Sequence, residues 1–398
     1  MSDRDTERLS EGGLDLIDTP EELEAACARL EAGHGPVALD AERASSYRYS
    51  ERAYLVQIYR RGAGTLLIDP LAFENLSPLN DVIADEEWVF HAAAMDLPCL
   101  RELGLHPVRI FDTELGARLL GLERVGLGAV TEELLGVRLA KAHSADDWST
   151  RPLPETWLAY AALDVEVLVD LRDVLETKLA EAGKSVWAQQ EFASVLAREV
   201  PAKREPWMKF VGTRTRHART VAIAHELWHA RDELARTRDV SPGRLVPDRS
   251  MALIAQKPPR TKQQLAELKE FQGRESRTEL DRWWKAIERG RDADLAPFQA
   301  PPRDPDAMPH HRSWKQRHPA AHERYQAVKH LVGELAEERS LPIENLLTPD
   351  HLRHLAWNPP EPVSPASVAI ELVSLGARPW QIEETATMLA AVLVSFDK

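Results

Sequence analysis

The sequence predicts an α/β domain followed by two small all-α modules, and three observations support this prediction. Short β-rich runs alternate with helical periodicity in the first half of the chain, whereas the second half is patterned for helices alone. Proline-rich segments at residues 201–207 and 296–309 divide the chain into three parts. The length of 398 residues exceeds what one hydrophobic core usually supports, so several domains are expected.

Five strands are expected in the α/β domain, at residues 37–40, 54–59, 65–69, 88–91 and 110–112. The segment Arg60–Gly64 has the composition of a hairpin turn and separates two of them. The first three strands should therefore form an antiparallel meander. The later strands alternate with helices, an arrangement that brings several strand and helix ends together in one cleft.

Helices are expected at residues 20–31, 79–85, 96–103, 112–122, 127–135 and 154–182. Thr19-Pro20-Glu21-Glu22 is a capped start for the first. The last is predicted as one long helix, opened by Pro152 and Pro154 and closed by Gly183. We therefore place an α/β domain at residues 14–200, a helical module at 214–294, a proline-rich linker at 295–309 and a second helical module at 310–398.

Charge is unevenly distributed along the chain, although the net charge is −14. Residues 1–200 carry 19 Lys and Arg against 37 Asp and Glu, and residues 291–398 carry 11 against 15. Residues 201–290, in contrast, carry 20 against 12. A basic module inside an acidic chain suggests that the module contacts a phosphate backbone while the acidic domain holds cations.

Composition excludes several classes of protein. A hydrophobic content of 43% with 29% charged residues is typical of a soluble globular protein. Apolar runs such as Leu66–Ile68 are too short to cross a bilayer and the first residues lack an apolar signal segment, so we expect no membrane partner and a cytoplasmic location. Two isolated cysteines, Cys27 and Cys99, make neither a disulfide framework nor a thiolate metal site.

Asp40 and Glu42 are two residues apart at the end of a predicted strand, so both side chains should project from one face. Burying two unpaired carboxylates is unfavourable unless a bound cation offsets the cost. Taken alone, the pair is more simply explained as the end of a strand at the surface of an acidic protein.

Two further motifs follow the first. Asp96 lies five residues after His91 near a helix start, and Tyr160 and Asp164 share one helix face. Individually, Asp96 is explained as a helix cap and Tyr160 as a half-buried tyrosine. Together with the first motif, however, they form an ordered set of carboxylates. Such ligands suit Mg²⁺ or Mn²⁺, and two such ions about 4 Å apart promote in-line displacement at phosphorus.

These motifs resemble the three exonuclease motifs of the DEDD superfamily of 3′-5′ exonucleases, in the subclass with a tyrosine in the third motif, and most closely those of the ribonuclease D family. The resemblance covers most of residues 35–180 and extends through residues 54–58, 67–71 and 111–113, Lys141 with Ser144, and residues 147–148, 151–153 and 160–165. It implies a ribonuclease H-like mixed sheet flanked by helices, with an exonuclease domain at residues 14–200.

The resemblance also implies roles for the motif residues. Asp40, Glu42 and Asp164 would bind one divalent metal ion, Asp40 would bridge to a second, and Asp96 would hold the second through water. Tyr160 would orient the attacking water. The implied enzyme is a monomeric 3′-5′ exoribonuclease that releases nucleoside 5′-monophosphates from RNA with a free 3′ end, such as a transfer-RNA precursor. A DNA-directed exonuclease is the alternative, because contacts to the 2′-hydroxyl cannot be recognised in the sequence.

The basic module resembles an HRDC domain, an auxiliary nucleic-acid-binding bundle found in helicases and ribonuclease D. The resemblance rests on Leu227–Asp232, Pro258 and Leu268–Gly273, although His229 replaces an arginine common in that family. Residues 310–398 are assigned by position and helix content as a second HRDC-like bundle.

Several residues are candidates for RNA contacts. The densest basic stretch interleaves cations with two aromatic residues and contains Lys203, Arg204, Trp207, Lys209, Phe210, Arg214, Arg216 and Arg219. It would grip an RNA backbone and stack a base, or else form a solvated linker whose aromatic residues anchor it to neighbouring domains. His91 and Gln57, within the matched motifs, are further candidates.

Two alternatives from other classes remain. His225–His229 is a literal H-E-x-x-H, the pattern that places two zinc ligands and a general base on one helix face in zinc peptidases. The extended pattern needs glycine at position 232 and histidine at 235, where this chain has Asp232 and Ala235. A non-catalytic RNA- or protein-binding scaffold is the other alternative, and the presence of all five motif residues argues against it.

Overall fold

The computed structural model describes residues 15–139, 143, 145–198, 205–211, 217–299 and 307–396. Six strands form one mixed sheet in the order β1-β4-β3-β2-β5-β6. Their bounds are β1 (Leu16–Ile17), β2 (His34–Arg43), β3 (Ala53–Arg61), β4 (Gly64–Ile68), β5 (Glu87–Phe90) and β6 (Arg109–Asp112).

The centre of the sheet is the predicted antiparallel meander. Strand β3 pairs antiparallel with both β2 and β4, and β5 and β6 extend the sheet in parallel with β2. Gly62 and Gly64 have φ values of +85° and +75°, the left-handed conformations that the tight β3–β4 turn requires. The edge strand β1 was not predicted, because two residues are too few to show a period of two.

Eight helices surround the sheet in the described part of the first domain. Their bounds are α1 (Pro20–Ala32), α2 (Ser77–Ile83), α3 (Leu97–Glu102), α4 (Thr113–Leu119), α5 (Leu127–Leu135), α6 (Glu155–Glu166), α7 (Leu168–Glu181) and α8 (Ser185–Ala197). The prediction of one helix over residues 154–182 was wrong, because the chain changes direction at Val167. There α6, which covers β2, β3 and β4, gives way to α7, which packs against β2, β5 and other helices.

The two faces of the sheet bury different cores. Leu55 and Leu67 pack with Leu158, Ala161 and other α6 residues in a small core. The alternate residues of the same strands point to the opposite face and enter the main core with α1 and α2. The face under α6 is the one that carries the candidate site.

A middle module, residues 205–299, forms a second core of its own. It contains α9 (Ala218–Arg238), α10 (Pro242–Leu245), α11 (Asp248–Gln256), α12 (Lys262–Glu267), α13 (Arg274–Thr278) and α14 (Leu280–Asp292). Phe210 and Val211 are buried in this core, so the described part of the basic stretch belongs to the module rather than to a free linker.

A C-terminal module, residues 307–396, contains α15 (Trp314–Arg317), α16 (Pro319–Glu338), α17 (Ile343–Leu346), α18 (Pro349–Trp357), α19 (Pro365–Ser374) and α20 (Pro379–Val394). The helices α9, α10 and α11 have 21, 4 and 9 residues, and α16, α17 and α18 have 20, 4 and 9. This repeated order supports the assignment of a second HRDC-like bundle, which stays a prediction. No helix in the described ranges combines the length and apolar character needed to cross a membrane.

The C-terminal module is joined to the first domain through α8. The carboxylate of Glu191, which is 4% exposed, accepts hydrogen bonds from Arg378 Nη2 at 2.6 Å and Trp380 Nε1 at 2.9 Å. The Trp187 and Trp380 rings stack with centroids 4.5 Å apart. Lys184 Nζ adds a hydrogen bond across the same interface to the Arg339 carbonyl at 2.5 Å. The two parts therefore share one continuous core.

Replacing Glu191 with alanine removes the acceptor of the buried Trp380 N–H and the partner of the partly exposed Arg378 guanidinium. We expect the free energy of unfolding, measured by urea denaturation, to fall by about 2 kcal/mol, less than for a fully buried pair because Arg378 is partly exposed. The control is Glu334→Ala, which removes an exposed carboxylate of α16 and should change stability little. Equal effects of the two substitutions would contradict the role given to Glu191.

Candidate active site

Three of the predicted carboxylates meet on the face of the sheet covered by α6. The cross-strand partners of Asp40 and Glu42 are Gln57 and Leu55, so both acids point towards α6. Asp164 lies near the end of α6. One carboxylate oxygen from each of Asp40, Glu42 and Asp164 lies within 4.8 Å of the other two. Carboxylates from the first and third sequence motifs therefore form one compact cluster.

Asp96 lies beside this cluster, immediately before α3, and is 5% exposed. Its Oδ1 is 3.6 Å from Nη2 of Arg43, the residue that ends β2. Its loop is held by the carboxylate of Asp112, which accepts hydrogen bonds from the N–H groups of Ala92 at 3.1 Å and Ala93 at 2.9 Å. Asp96 is therefore a fourth acid beside the cluster, and its carboxylate is within ion-pair distance of Arg43.

Burial raises the pKa of all four carboxyl groups. The pKa of Glu42 rises to about 9, because burial is reinforced by the charges of Asp40 and Asp164. The pKa of Asp164 rises to about 7 through burial and the charge of Asp40. The pKa values of Asp40 and Asp96 are also raised, mainly by burial. The cluster cannot hold its full negative charge at neutral pH unless a cation compensates for it.

Tyr160 lies one helical turn before Asp164 on α6, close enough for the charge of the Asp164 carboxylate to act on the phenol. Burial and the neighbouring carboxylate raise the pKa of Tyr160 above its ordinary value. The phenol therefore keeps its proton at neutral pH and acts as a hydrogen-bonding group rather than a base. The ring of His143 stands edge-on to it, with centroids 5.8 Å apart.

A cleft of about 670 Å³ opens over Asp40, Tyr160 and Asp164. The cleft is also lined by the first turn of α5 and by the segment between α5 and α6, with Gly126, Leu127, Gly128, Ala129, Leu139, His143, Ala145 and Asp146. Sequence analysis missed His143 and Asp146, whose side chains bond to each other at 2.6 Å. Their only signal was a polar run without periodicity between two helical segments.

His91 also lines the cleft, as expected for a residue proposed to contact RNA. Its Nδ1 lies 2.8 Å from the hydroxyl of Thr113, which in turn donates to the carbonyl of Phe90 at 3.0 Å. Burial lowers the pKa of His91 to about 4, so the imidazole is neutral at physiological pH. A neutral ring at this position can hydrogen-bond a substrate but adds no positive charge to the cleft.

Gln57 does not fit the prediction of an RNA contact. It faces Asp40 directly across the sheet, but it lies under α6 and has 0% exposed surface. Among the described residues its side-chain nitrogen and oxygen find no hydrogen-bond partner. A side chain enclosed in this way cannot touch RNA directly, because the face predicted to meet the substrate is covered by a helix.

The basic stretch is only partly described. The predicted RNA contacts Lys203, Arg204, Arg214 and Arg216 lie outside the described residues. The ring of Trp207 packs against those of His225 and His229, with centroids 4.6 and 5.7 Å away. Of the two interpretations of the aromatic residues, anchoring to the neighbouring module is the one these contacts favour. The indole N–H of Trp207 is buried as well.

The H-E-x-x-H segment is part of this aromatic cluster. Glu226 pairs with Arg289 at 2.7 Å and with His225 at 3.0 Å, so the proposed general base is engaged in ion pairs. In the described part of the chain, the cluster of Asp40, Glu42 and Asp164 is the one group of three or more metal-ligating side chains that converge. The zinc-peptidase alternative lacks a third ligand and is not favoured.

The donor set of the main cluster fits divalent metal ions. It consists of carboxylate oxygens alone, the ligands that Mg²⁺ and Mn²⁺ prefer, and their raised pKa values show an excess of negative charge. When bound there, such ions would stabilise negative charge on a reacting phosphate and lower the pKa of a bound water.

Comparison with protein families divides the chain in the same way as the structure. Residues 14–180 match the family model described as a 3′-5′ exonuclease. Residues 221–287 match the HRDC domain, and residues 307–393 match a 3′ to 5′ exonuclease C-terminal domain. Fold, cluster and family models together define a metal-dependent 3′-5′ exonuclease with an HRDC domain.

Individual relatives identify the family. The chain is 31% identical over 306 residues to ribonuclease D of Sphingobium indicum, covering 73% of this chain and 76% of the relative. It is 32% identical over 264 residues to ribonuclease D of Nitrobacter hamburgensis, covering 64% of this chain and 68% of the relative. The chain belongs to the ribonuclease D family.

Two solved structures share the whole fold. A protein from Bifidobacterium adolescentis superposes with a TM-score of 0.82 and 36% identity, over 96% of this chain and 97% of that one. Escherichia coli RNase D, described as an exoribonuclease involved in structured RNA processing, superposes with a TM-score of 0.70 and 24% identity, over 96% and 99%. The three-part architecture, with the exonuclease domain first, is therefore shared.

The raised pKa values predict how stability depends on pH. Glu42 and Asp164 titrate at about 9 and about 7 in the folded protein, above their ordinary values, so between about pH 5 and pH 9 the folded state binds more protons than the unfolded state. Stability of the metal-free protein should fall as pH rises through this range. Added Mn²⁺ should raise the thermal midpoint more at about pH 8.5 than at about pH 5.5. At the higher pH more of the carboxyl groups are ionised, and the bound cation would compensate for their negative charge.

The matched control is Asp40→Asn, measured by the same thermal melts. Removing one of the mutually repelling charges should reduce both the pH dependence and the response to Mn²⁺. An Mn²⁺ response that is the same at both pH values, or unchanged in the variant, would contradict a cation site at this cluster.

Proposed function

We propose that this protein removes nucleotides one at a time from the 3′ end of RNA and releases nucleoside 5′-monophosphates. The observation that carries the proposal is the convergence of Asp40, Glu42 and Asp164 within 4.8 Å, with Asp96 beside them, at one end of an open cleft. Membership in the ribonuclease D family and the HRDC match support RNA as the substrate.

We assign the two-ion arrangement to these acids. Asp40, Glu42 and Asp164 would hold one ion, and Asp40 would hold a second together with Asp96, which would act through water. Asp96 Oδ1 also lies 3.6 Å from Nη2 of Arg43. Both ions would be Mg²⁺ or Mn²⁺. The cleft that would receive the substrate is lined by Asp40, Tyr160 and Asp164 among other residues.

Tyr160 is proposed to hold the attacking water. Its hydroxyl keeps its proton at neutral pH, so it can accept or donate a hydrogen bond to a water beside Asp164 without removing a proton. Tyr160 therefore contributes position rather than basicity.

The substrate is proposed to be a structured RNA such as a transfer-RNA precursor, acted on by a monomer. The excess of basic residues in the middle module suits the backbone of a folded RNA, and the cleft of about 670 Å³ would receive its 3′ end. A DNA-directed exonuclease is the second candidate, since the described cleft residues provide no feature that selects a 2′-hydroxyl.

The direct test uses 5′-labelled RNA with a single-stranded 3′ extension, incubated with Mg²⁺ or Mn²⁺. We expect shortening in single-nucleotide steps and nucleoside 5′-monophosphates by chromatography, with the DNA of the same sequence degraded at least about tenfold more slowly. Asp40→Asn should lower the rate by at least about 10²-fold, whereas Asp81→Asn, an exposed acid on α2, should not. Full activity of the Asp40 variant would refute the site, and faster degradation of DNA would favour the alternative.

Replacing Tyr160 with phenylalanine keeps the ring and removes the hydroxyl. We expect kcat to fall about 10²-fold with little change in KM, because the group acts on the water and not on the bound RNA. Since the pKa of Tyr160 is raised, the slope of log kcat against pH below about pH 9 should be the same in both proteins. A change of slope would show that the phenol acts as a base.

A further inference from the structure

The HRDC module contacts the exonuclease domain at the loop that follows the first catalytic strand. This β2–β3 loop, residues 44–52, begins directly after Arg43 and two residues after Glu42. Several of its polar groups are bound by residues of the HRDC module. The contacts are concentrated at the end of α9 and at the start of α10.

Asp239 makes the densest of these contacts. Its Oδ1 accepts hydrogen bonds from the backbone N–H groups of Tyr49 at 3.2 Å and Ser50 at 2.9 Å. Its Oδ2 accepts from the hydroxyl of Tyr54 at 3.3 Å and lies 3.5 Å from Nη2 of Arg52. One carboxylate thus binds the backbone and the flanking side chains of the same loop.

The backbone of Asp239 supports a specific role for its side chain. The residue follows the last turn of α9 with φ of +47°, a left-handed conformation in which glycine is the ordinary choice. An aspartate at this position accepts backbone strain that glycine would avoid. Unlike glycine, however, aspartate provides a carboxylate that binds the β2–β3 loop.

Neighbouring contacts hold the rest of the loop. The N–H of Ser241 donates to the Tyr47 carbonyl at 2.9 Å, and Arg244 Nε donates to the Ser46 carbonyl at 2.8 Å. The Arg244 guanidinium also lies 3.9 Å from the centre of the Tyr47 ring. The hydroxyl of Tyr49 donates to Asp232 of α9 at 3.0 Å. Residues 46–50 are therefore held by the HRDC module along their whole length.

The loop in turn reaches the cleft. Arg48 Nε donates to the hydroxyl of Ser149 at 2.7 Å, which ties the loop to the segment that contributes His143 and Asp146 to the cleft wall. A narrow groove of about 160 Å³ runs between the two segments to Glu42 and includes Ser45 and Ser46. The loop is thus part of the approach to the carboxylate cluster.

We propose that Asp239 is a positioning residue for the exonuclease reaction, through which the HRDC module fixes the β2–β3 loop and the adjoining cleft wall. This inference rests on the proposed function. It gives the module a role in the catalytic step that is separate from any grip on RNA. Binding of distant RNA changes KM for long substrates, whereas positioning of the cleft changes kcat for every substrate.

The test compares Asp239→Gly and Asp239→Asn in the full-length protein. Glycine suits the left-handed conformation and removes the carboxylate, so α9 should keep its stability while the loop contacts are lost. Asparagine also tolerates this conformation and keeps an oxygen that can accept from Tyr49 and Ser50. The control is Asp281→Asn, which removes an exposed charge of the same module that pairs with Lys262.

Steady-state kinetics should be measured on a long structured RNA and on an oligoribonucleotide of about four residues. We expect Asp239→Gly to lower kcat about tenfold on both substrates with KM changed less than about threefold, and Asp239→Asn to recover to within about threefold of the unmodified protein. Asp281→Asn should behave like the unmodified protein. A rise in KM on the long RNA alone, with the short substrate unaffected, would overturn the proposal.

Hydrogen exchange provides a readout that needs no activity. The amides of Tyr49 and Ser50 should exchange faster in Asp239→Gly than in the unmodified protein, while the amides of α9 remain equally protected. Unchanged exchange at Tyr49 and Ser50 would also overturn the proposal. If the unmodified protein releases no nucleotides, the proposed function fails instead, and the exchange experiment still decides whether Asp239 holds the loop.

Discussion

The repulsion among four clustered carboxylates, two buried and two half-buried, is the constraint on which the rest of this structure depends. Asp40, Glu42, Asp96 and Asp164 come from a strand, a loop and a helix, and each would be more stable in water than near the other three. The antiparallel register places two of them on one face, and α6 brings the third over that face. The rigid elements hold the acids together, and cations would supply the balancing charge. A site of this kind costs folding stability in its metal-free form and becomes favourable only when occupied.

The other buried acids of the domain show how an unmatched charge is normally avoided. Asp112 accepts hydrogen bonds from four backbone N–H groups, two in the loop between His91 and Asp96 and two in the first turn of α4. Asp69 is paired with Arg151, whose Nε and Nη2 lie 2.7 and 2.8 Å from its two oxygens. Partners of this kind stabilise an ionised carboxylate within the protein. The cluster differs from these acids. In the described part of the chain its ion-pair partner is Arg43, 3.6 Å from Asp96, and the charges of its own members raise the pKa values of Glu42, Asp96 and Asp164.

Much of this arrangement could be predicted from the sequence, and the failures have physical reasons. The meander and the three motifs were predicted, because alternation and fixed spacings are local properties of the chain. The break at Val167 was missed, since both halves of the segment carry helical periodicity and only packing on different strands separates them. Gln57 was misassigned because a period of two shows that it shares a face with Asp40, but not that α6 covers that face. His143 and Asp146 lie in an irregular segment, where position depends on tertiary contacts alone.

Charge counting also gave an incomplete account of the HRDC module. Its basic excess suggested a surface for phosphates, yet many of its cations are paired within the module, as Arg231 is with Asp248, Arg282 with Glu233, and Arg238 with both Glu275 and Glu279. Such pairs reduce the charge that an RNA backbone would meet. Meanwhile Arg244 and Asp239, of opposite sign, bind the same loop of the exonuclease domain. The net charge of a module therefore does not tell whether its charged residues bind a ligand or other parts of the same chain, because both kinds of contact use the same residue types. The HRDC module binds the β2–β3 loop, which begins two residues after Glu42. These contacts connect the basic module directly to the acidic site of the preceding domain.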